Sequence, residues 1–252
     1  TESLTVTETT TTAQSLNYPT SFALGDFLFI DGGTPDTDLI ARWKLNDSAA
    51  NTTVTDETGT YNGVMSVNTN TVSTETLHGK GFRLTASEYF TVASLNPSSL
   101  SAFSVTFWVK FNAFVTNDRI VDQGESGPQN GFTFAEIAGP QVQFAIRNGA
   151  SVVATINSGT LTTGVWYHMA GVYANNDVRY YVDAVLKGTD TSATIGSSAT
   201  TLTIGKRSAG SNQMNGWLDD VRIYDKALTD AEVLEIFATS KRPFVLDGSH
   251  LG

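Results

Sequence analysis

Short segments in which apolar and polar residues alternate recur along most of this chain. The clearest is FSVTFWVKF at 103–111, where the odd positions are all apolar. Weaker stripes of the same kind run through 39–46 and 141–147. Because successive side chains of a strand point to opposite faces, each stripe predicts a strand with one face in a core. Many such strands between Gly- and Asn-rich turns indicate an all-β, two-sheet antiparallel sandwich.

The last ninety residues add a more specific order of elements. Segments 164–173 and 178–188 predict adjacent strands, and 201–237 predicts a strand, a loop, a long strand and a short helix. Thr229 and Glu232 are spaced as a capping box, so we expect the helix to cover 230–237. Its buried face is predicted by a set of four apolar residues: Val233, Leu234, Ile236 and Phe237.

Composition changes sharply before residue 39. Seven of the first twelve residues are threonine. In 18–33, Phe22, Leu24, Phe27 and Phe29 flank Gly25-Asp26, which is typical of a small hairpin. We therefore divide the chain into an extended N-terminal arm at 1–38, a sandwich domain at 39–240 and a tail at 241–252. The arm is expected to dock on protein partners, in a homo-oligomer or on a scaffold.

Charge and cysteine content limit the partners. The formal net charge is −10, which disfavours nucleic acid, and the chain has no cysteine for disulfides or thiolate metal sites. No stretch of the sequence approaches the ~20 apolar residues of a membrane span.

Several short motifs resemble the laminin-G-like branch of the concanavalin A-like lectin/glucanase superfamily, whose jelly roll pentraxins share. They are Trp43–Asp47, the Asp-x-x-Gly-x-x-x-Gly turn at 56–63, Gly79–Leu84, the Trp-x-His-hydrophobic-Ala run Trp166–Ala170, and Gly216–Tyr224. The resemblance implies an all-β, two-sheet antiparallel jelly-roll sandwich with one short C-terminal helix. In one departure, the hairpin motif reads Asp183-Ala184 instead of Asp-Gly. Because Ala disfavours positive φ, we expect another turn type or a longer loop there.

Catalysis is not supported by the residues. The related glucanases carry acids two positions apart on one strand face, and this chain has no such run. Asp219 and Asp220 are adjacent, so on a strand they point to opposite faces. The three His residues are scattered, without a nucleophile elbow. We therefore predict a non-enzymatic protein.

Asp219 is nevertheless a candidate structural acid. The alternation places it with Trp217, Val221 and Ile223 on the face expected to point inward. A buried carboxylate has to be hydrogen-bonded or paired, either with backbone N–H groups or with a structural cation.

The resemblance also implies calcium at the rim of the sandwich, although no cofactor is required by the pattern. The corresponding loop 206–213 is basic and has no carboxylate, which disfavours a pentraxin-type site. The remaining rim candidates are Asp122, Glu125, Asn130, Asn212 and Gln213.

A glycan contact is a further candidate. Trp43, Trp166 and Trp217 are expected in the core, whereas Trp108 lies opposite the Phe stripe and is a candidate stacking platform. Gln141, Gln143 and Arg147 would supply polar groups on an outward face.

Two functional hypotheses follow. The first is a structural attachment protein of a larger assembly, such as a virion-surface decoration or fibre protein that presents a lectin-like domain. The second is a secreted or cell-surface carbohydrate-binding module. Both place the protein outside the cell or on a virion surface.

Overall fold

The computed structural model describes residues 38–76, 79–85, 87–124, 130–149, 151–198, 201–208 and 210–240. Residues 1–37 of the arm, with the predicted hairpin, and the tail lie outside these ranges. The strands are β1 Leu39–Trp43, β2 Thr53–Val54, β3 Gly63–Met65, β4 Ser73–Thr76, β5 Gly79–Thr85, β6 Phe90–Val92, β7 Ala102–Ala113, β8 Arg119–Gln123, β9 Gly131–Ile137, β10 Gln141–Asn148, β11 Ser151–Asn157, β12 Trp166–Ala174, β13 Asp177–Val182, β14 Val185–Asp190, β15 Leu202–Ile204 and β16 Asn215–Tyr224. The helices are α1 Thr69–Val72, a 3-10 turn at Pro97–Ser99, and α2 Asp230–Ser240.

These strands form two eight-stranded sheets in which every strand pair is antiparallel. In sheet A the order is β14-β13-β12-β7-β16-β5-β4, with β1 also paired to β16. In sheet B it is β11-β10-β9-β8-β15-β6-β3-β2. Because β7 lies between β12 and β16, distant segments of the chain become neighbours, as in a jelly roll. The predicted all-β, two-sheet fold with a short C-terminal helix is confirmed.

The core lies between the two sheets and is rich in aromatic rings. The five apolar residues of the β7 stripe are fully buried. Phe103 and Phe107 meet Phe132 and Phe134 of β9, with ring centroids 4.9 Å apart in both pairs. Each buried Phe contributes about 1.5–3 kcal/mol of hydrophobic free energy, so this stripe contributes substantially to the contact between the layers.

Helix α2 packs on the outer face of sheet A. The predicted capping box is confirmed: Thr229 N donates to Glu232 Oε2 (2.8 Å), and Glu232 N donates to Thr229 Oγ1 (3.3 Å). The helix is three residues longer than predicted. Val233 and Ile236 are buried, but the prediction for Leu234 is wrong because this side chain is 45% exposed. A helix lying on a sheet buries only one stripe, and Leu234 falls outside it.

A β-bulge in β16 changes which of its residues face the core. Between Asp219 and Arg222 this strand has one residue more than β7, and Asp220 takes a φ of 46°. The extra residue reverses the alternation. Val221 therefore faces the core as predicted, but Trp217 and Asp219 point to the outer face of sheet A, which corrects the prediction that they face inward.

The Asp183-Ala184 hairpin also differs from the expectation. It is a two-residue connection between β13 and β14, with φ of 52° at Asp183 and 61° at Ala184. The predicted change of turn type is wrong because Asp183 is held in place. Its side-chain Oδ1 accepts the backbone N–H of His168 at 2.9 Å, and its own N–H donates to His168 O at 2.8 Å.

Candidate binding surfaces

Trp108 is not a surface platform, contrary to the sequence prediction. It lies on the outer face of β7 as expected, but helix α2 covers it and leaves it 2% exposed. Its ring stacks on Phe237 with centroids 5.7 Å apart, and its Nε1 donates to Ser240 Oγ at 2.9 Å. The alternation of apolar and polar residues identified the outer face of β7 correctly, but it does not indicate which part of that face helix α2 covers.

The polar residues predicted on β10 do lie on the outer face of sheet B. Gln141, Gln143 and Arg147 are half-buried and occupy alternate positions of that strand. Gln143 Nε2 donates to Asn157 Oδ1 on the neighbouring strand at 3.1 Å. Their role as ligand contacts stays a prediction.

Asp219 is 1% exposed. Thr76 Oγ1 of β4 donates to its Oδ2 at 2.5 Å, which ties the edge strand to β16. This donor is a side-chain hydroxyl, whereas backbone N–H groups were predicted, and the role of Asp219 as a structural acid stays a prediction. The alternative of a structural cation at this carboxylate stays a prediction.

The rim residues predicted for calcium contact different parts of the structure. Asp122 Oδ2 accepts Ser208 N at 2.8 Å, and its Oδ1 lies 3.8 Å from Arg119 Nε. An N–H group and a guanidinium on one carboxylate do not suit a hard cation, which needs free oxygen ligands. Among the described residues no three acidic or imidazole groups come together as a metal site.

The other rim candidates act as loop contacts. Asn130 Oδ1 accepts Gly149 N at 2.6 Å, and its Nδ2 donates to Ser197 O at 3.0 Å. Gln213 Nε2 donates to a backbone carbonyl at 3.3 Å, and the Asn212 side chain hydrogen-bonds Asp118. Glu125 lies outside the described residues.

Two buried acids near one end of the sandwich were not predicted. Glu136 is fully buried, and its Oε2 accepts Val115 N at 2.7 Å. Burial raises the pKa of Glu136 to about 8, and the nearby charge of Asp118 adds to this increase. Burial also raises the pKa of Asp118, against the opposing effect of Arg119. Glu136 sits at an inward position of β9, where the alternation favours an apolar residue.

Two further acids are held by local contacts, one by backbone N–H groups and the other by two arginine side chains. Asp56, in the glycine turn of the motif at 56–63, accepts backbone N–H groups from four residues: Arg42, Thr58, Thr60 and Tyr61. Burial opposes the charged form of Asp56, but the hydrogen bond from the Thr58 hydroxyl and the backbone bonds outweigh it, so the pKa of Asp56 is lowered. Asp220 in the bulge contacts Arg222 Nη2 at 2.6 Å and Arg42 Nε at 2.8 Å. Despite its burial, these two guanidinium groups hold the pKa of Asp220 well below its usual range.

A groove of about 500 Å³ opens at the end of the sandwich where β7 begins. Its walls come from three connections: the segment 98–101, the β12–β13 turn and the segment before β15. The lining residues are Ser98, Ser99, Leu100, Ser101, Tyr173, Asn175, Asn176, Ile195 and Ser197. Hydroxyl and amide groups therefore surround a small apolar floor.

Hydrogen bonds fix the walls of the groove. Ser98 Oγ donates to Asn96 Oδ1 at 2.7 Å and accepts Ser198 N at 2.9 Å. On the floor, Tyr173 OH accepts Ile195 N at 3.2 Å. The β12–β13 turn has positive φ at both Asn175 and Asn176 (46° and 72°), as a tight two-residue hairpin requires.

The remaining two tryptophans also differ from the prediction. Trp43 is fully buried as expected. Trp166 and Trp217, however, are half-buried on the outer face of sheet A beyond the reach of α2. Two rings expected in the core thus lie at the surface, and the ring expected at the surface is buried.

Comparisons with known proteins agree with this architecture. The family pattern described as concanavalin A-like lectin/glucanases superfamily (laminin G) matches residues 84–234, more than half of the chain. A search among curated proteins finds no match.

Solved structures with the same fold include domain 4 of AbnA, a GH43 extracellular arabinanase from Geobacillus stearothermophilus, in complex with arabinotriose. Its TM-score is 0.61 at 19% identity, over 79% of this chain and 98% of that domain. The binding domain of botulinum neurotoxin DC in complex with SialylT has a TM-score of 0.63 at 18% identity, over 82% of this chain and 52% of that chain. A Trypanosoma rangeli sialidase in complex with 2,3-difluorosialic acid has a TM-score of 0.60 at 16% identity, over 82% of this chain and 34% of that chain.

This chain therefore corresponds to about half of the toxin binding domain and a third of the sialidase. At these identities the likeness concerns the fold. The matching family pattern, together with the two-sheet jelly roll, shows that the chain belongs to the concanavalin A-like lectin/glucanases superfamily.

Proposed function

We propose that this protein is a non-enzymatic attachment protein that binds glycans through the groove at 98–101, 175–176 and 195–197. The observation that carries the proposal is the chemistry of the groove lining. Serine hydroxyls and asparagine amides both donate and accept hydrogen bonds, as the hydroxyls of a sugar require. Leu100 and Ile195, both half-buried in the lining, provide an apolar floor for the C–H face of a sugar ring.

The groove is held in shape before a ligand arrives. The Asn96–Ser98–Ser198 hydrogen bonds and the tight Asn175-Asn176 turn fix the walls, so little conformational freedom is lost on binding. A rigid, open, shallow site suits reversible contact with the end of a glycan chain. The arabinotriose and SialylT complexes of two proteins with this fold support a sugar as the ligand.

We further propose where the attachment takes place. The Thr-rich arm at 1–38 would dock on a protein scaffold or on other copies of the chain, and the sandwich would face outward from a virion or another extracellular surface. The arm's composition supports this hypothesis, since a polar, β-prone segment gains order by adding to a neighbouring sheet. A secreted or cell-surface carbohydrate-binding module is the alternative. Among the described residues, no helix is long and apolar enough to cross a membrane.

Glycan-array binding with the full chain tests the proposed function. Ser101→Trp fills the exposed mouth of the groove and should abolish binding of the glycans that the native protein retains. Ser151→Trp places the same side chain at an exposed position of β11 and should leave binding unchanged. Equal binding by both variants, or no glycan bound by the native protein, would refute the proposal.

A truncation tests the proposed role of the arm. Removal of 1–38 should leave glycan binding intact and abolish multimer formation or scaffold association, measured by analytical ultracentrifugation. A truncated chain that assembles like the full chain would contradict this role.

A further inference from the structure

A row of alternating cationic and aromatic side chains crosses sheet A on its outer face. Four adjacent strands contribute one residue each: Arg83 on β5, Trp217 on β16, Lys110 on β7 and Trp166 on β12. The register places Trp217 directly opposite both Arg83 and Lys110, and Lys110 directly opposite Trp166. We call these four residues the cationic row.

The side chains of the row contact one another. The Arg83 guanidinium carbon lies 4.7 Å from the Trp217 ring centroid, and Lys110 Nζ lies 4.0 Å from it. Lys110 Nζ is also 5.2 Å from the Trp166 centroid. The rings hold both cations upright while all four side chains stay at least partly accessible.

The two cations are electrostatically uncompensated. Within the described part of the chain, neither Arg83 nor Lys110 forms an ion pair with a carboxylate. Burial lowers the pKa of Lys110, and the charge of Arg83 lowers it further, so the two positive charges influence each other. This occurs in a protein whose formal net charge is −10.

Some other surface cations are paired with carboxylates. Lys44 Nζ lies 2.5 Å from Glu57, and Lys226 Nζ lies 2.7 Å from Glu232. A row that served only to shield the outer face of sheet A could use the same pairing. Cation–π contacts contribute about as little as such exposed pairs, so stability does not explain two adjacent unpaired cations.

We propose that the cationic row is a second binding site, and that its ligand is a saccharide that carries carboxylate groups. Arg83 and Lys110 would pair with the carboxylates, and the exposed parts of Trp166 and Trp217 would contact the C–H groups of the sugar rings. Three steps between neighbouring strands, each ~4.8 Å, give the row a length of roughly 14 Å. That length suits an extended oligosaccharide better than a single small anion.

Nucleic acid fits this row less well. Two cations match a short ligand with few charges, whereas a long polyanion such as a nucleic acid would place its further charges against the acidic remainder of the surface and be repelled. Because salt screens charges beyond a Debye length of about 8 Å, the carboxylate of a bound sugar interacts mainly with the nearby cations of the row.

The row is separate from the groove of the proposed function. Ser101 lines the groove, and Lys110 lies nine positions later along the extended chain. At ~3.4 Å per residue the two sites are roughly 30 Å apart. The two binding activities should therefore be lost independently.

Titration of the full chain with oligogalacturonate, followed by Trp fluorescence and calorimetry, tests the proposal. Methyl-esterified oligogalacturonate removes the charge while keeping the sugar. Sialyllactose and lactose form a second charged and neutral pair, and oligo-dT tests a general polyanion. We expect the native protein to bind at least one of the charged saccharides, with affinity that falls as salt rises.

Arg83→Gln and Lys110→Gln should each weaken that binding roughly tenfold or more, because each removes one charged contact. Lys187→Gln removes an exposed lysine on β14 and should have no effect. Retention of groove-dependent glycan binding by the row variants shows that they are folded, and Ser101→Trp should still bind the charged saccharide.

Four results would overturn the proposal: no binding of either charged saccharide, equal binding of the neutral partners, equal binding by the row variants, or tighter binding of oligo-dT. The binding of the groove ligand by Ser101→Trp tests the proposed function only, and its result does not affect the proposal for the cationic row.

Discussion

Replacement of Glu136 by Gln should change the pH dependence of folding stability. Glu136 is fully buried at an inward position of β9, with Val115 N at 2.7 Å from Oε2. Burial raises its pKa to about 8, so the folded protein holds this carboxyl protonated at neutral pH. Gln keeps the shape and the oxygen that accepts the Val115 N–H, but it does not titrate.

The sign and the size follow from linkage. The unfolded chain loses this proton near pH 4.5, whereas the folded chain keeps it up to about pH 8. Between these values the folded state binds more protons, so stability falls as pH rises, by about 1.4 kcal/mol per pH unit. The contribution is fully present below pH 4.5 and is lost as pH rises through 8. From pH 6 to pH 8 the native protein should lose about 2 kcal/mol through this group.

Urea unfolding at pH 6, 7 and 8, monitored by Trp fluorescence, measures the effect. The native protein should show a midpoint that falls with pH, and Glu136→Gln should show a smaller decline, with unchanged m-values. Asp118 and the other titrating groups are present in both proteins, so the difference between the two curves isolates Glu136. Parallel curves for the two proteins would refute the assignment of a protonated carboxyl at this position.

Three further changes test other parts of the structure. Asp220→Ala should cost about 3–5 kcal/mol in chemical unfolding because it leaves the buried Arg222 unpaired; a cost below 1 kcal/mol would contradict the ion pair at the bulge. Ala184→Gly should stabilise the protein by up to about 1 kcal/mol, because relief of positive φ outweighs the added chain entropy, and a lower melting temperature would argue against the tight turn. Trp108→Ala should cost about 3–5 kcal/mol with glycan binding unchanged in the folded fraction; selective loss of binding would restore it as a ligand contact.

Much of the fold could be predicted from the sequence because local patterns determine it. The stripe at 103–111 identifies β7 and its buried face, since alternation is a property of a single strand. The Thr229–Glu232 pair identifies the start of α2, since its hydrogen bonds are local. The order of short motifs identified the superfamily that the family pattern confirms.

Features that depend on distant segments could not be predicted. The extra residue at Asp220 reverses the outer and inner faces of β16, and no pattern in the sequence announces it. Helix α2 covers Trp108 and leaves Trp217 at the surface, because the position of the helix depends on packing. The predictions for site residues were wrong most often, because the solvent accessibility of a side chain depends on this packing.

Neither proposed binding site could be predicted from the sequence, for the same reason. The groove combines 98–101 with the turn at 175–176 and the loop at 195–197, and the cationic row combines one residue from each of four strands. Strand order and register bring these residues together. A sequence without an assigned register contains Arg83 and Trp217 only as unrelated positions.

Hydrogen exchange of the full chain, with and without a glycan retained on the array, tests the central claim most directly. The proposed function predicts slower exchange in the segments 98–101, 175–176 and 195–197, with the outer face of β10 unchanged. Protection confined to the strand with Gln141, Gln143 and Arg147, or none within the sandwich, would contradict the assignment of the groove as the glycan site.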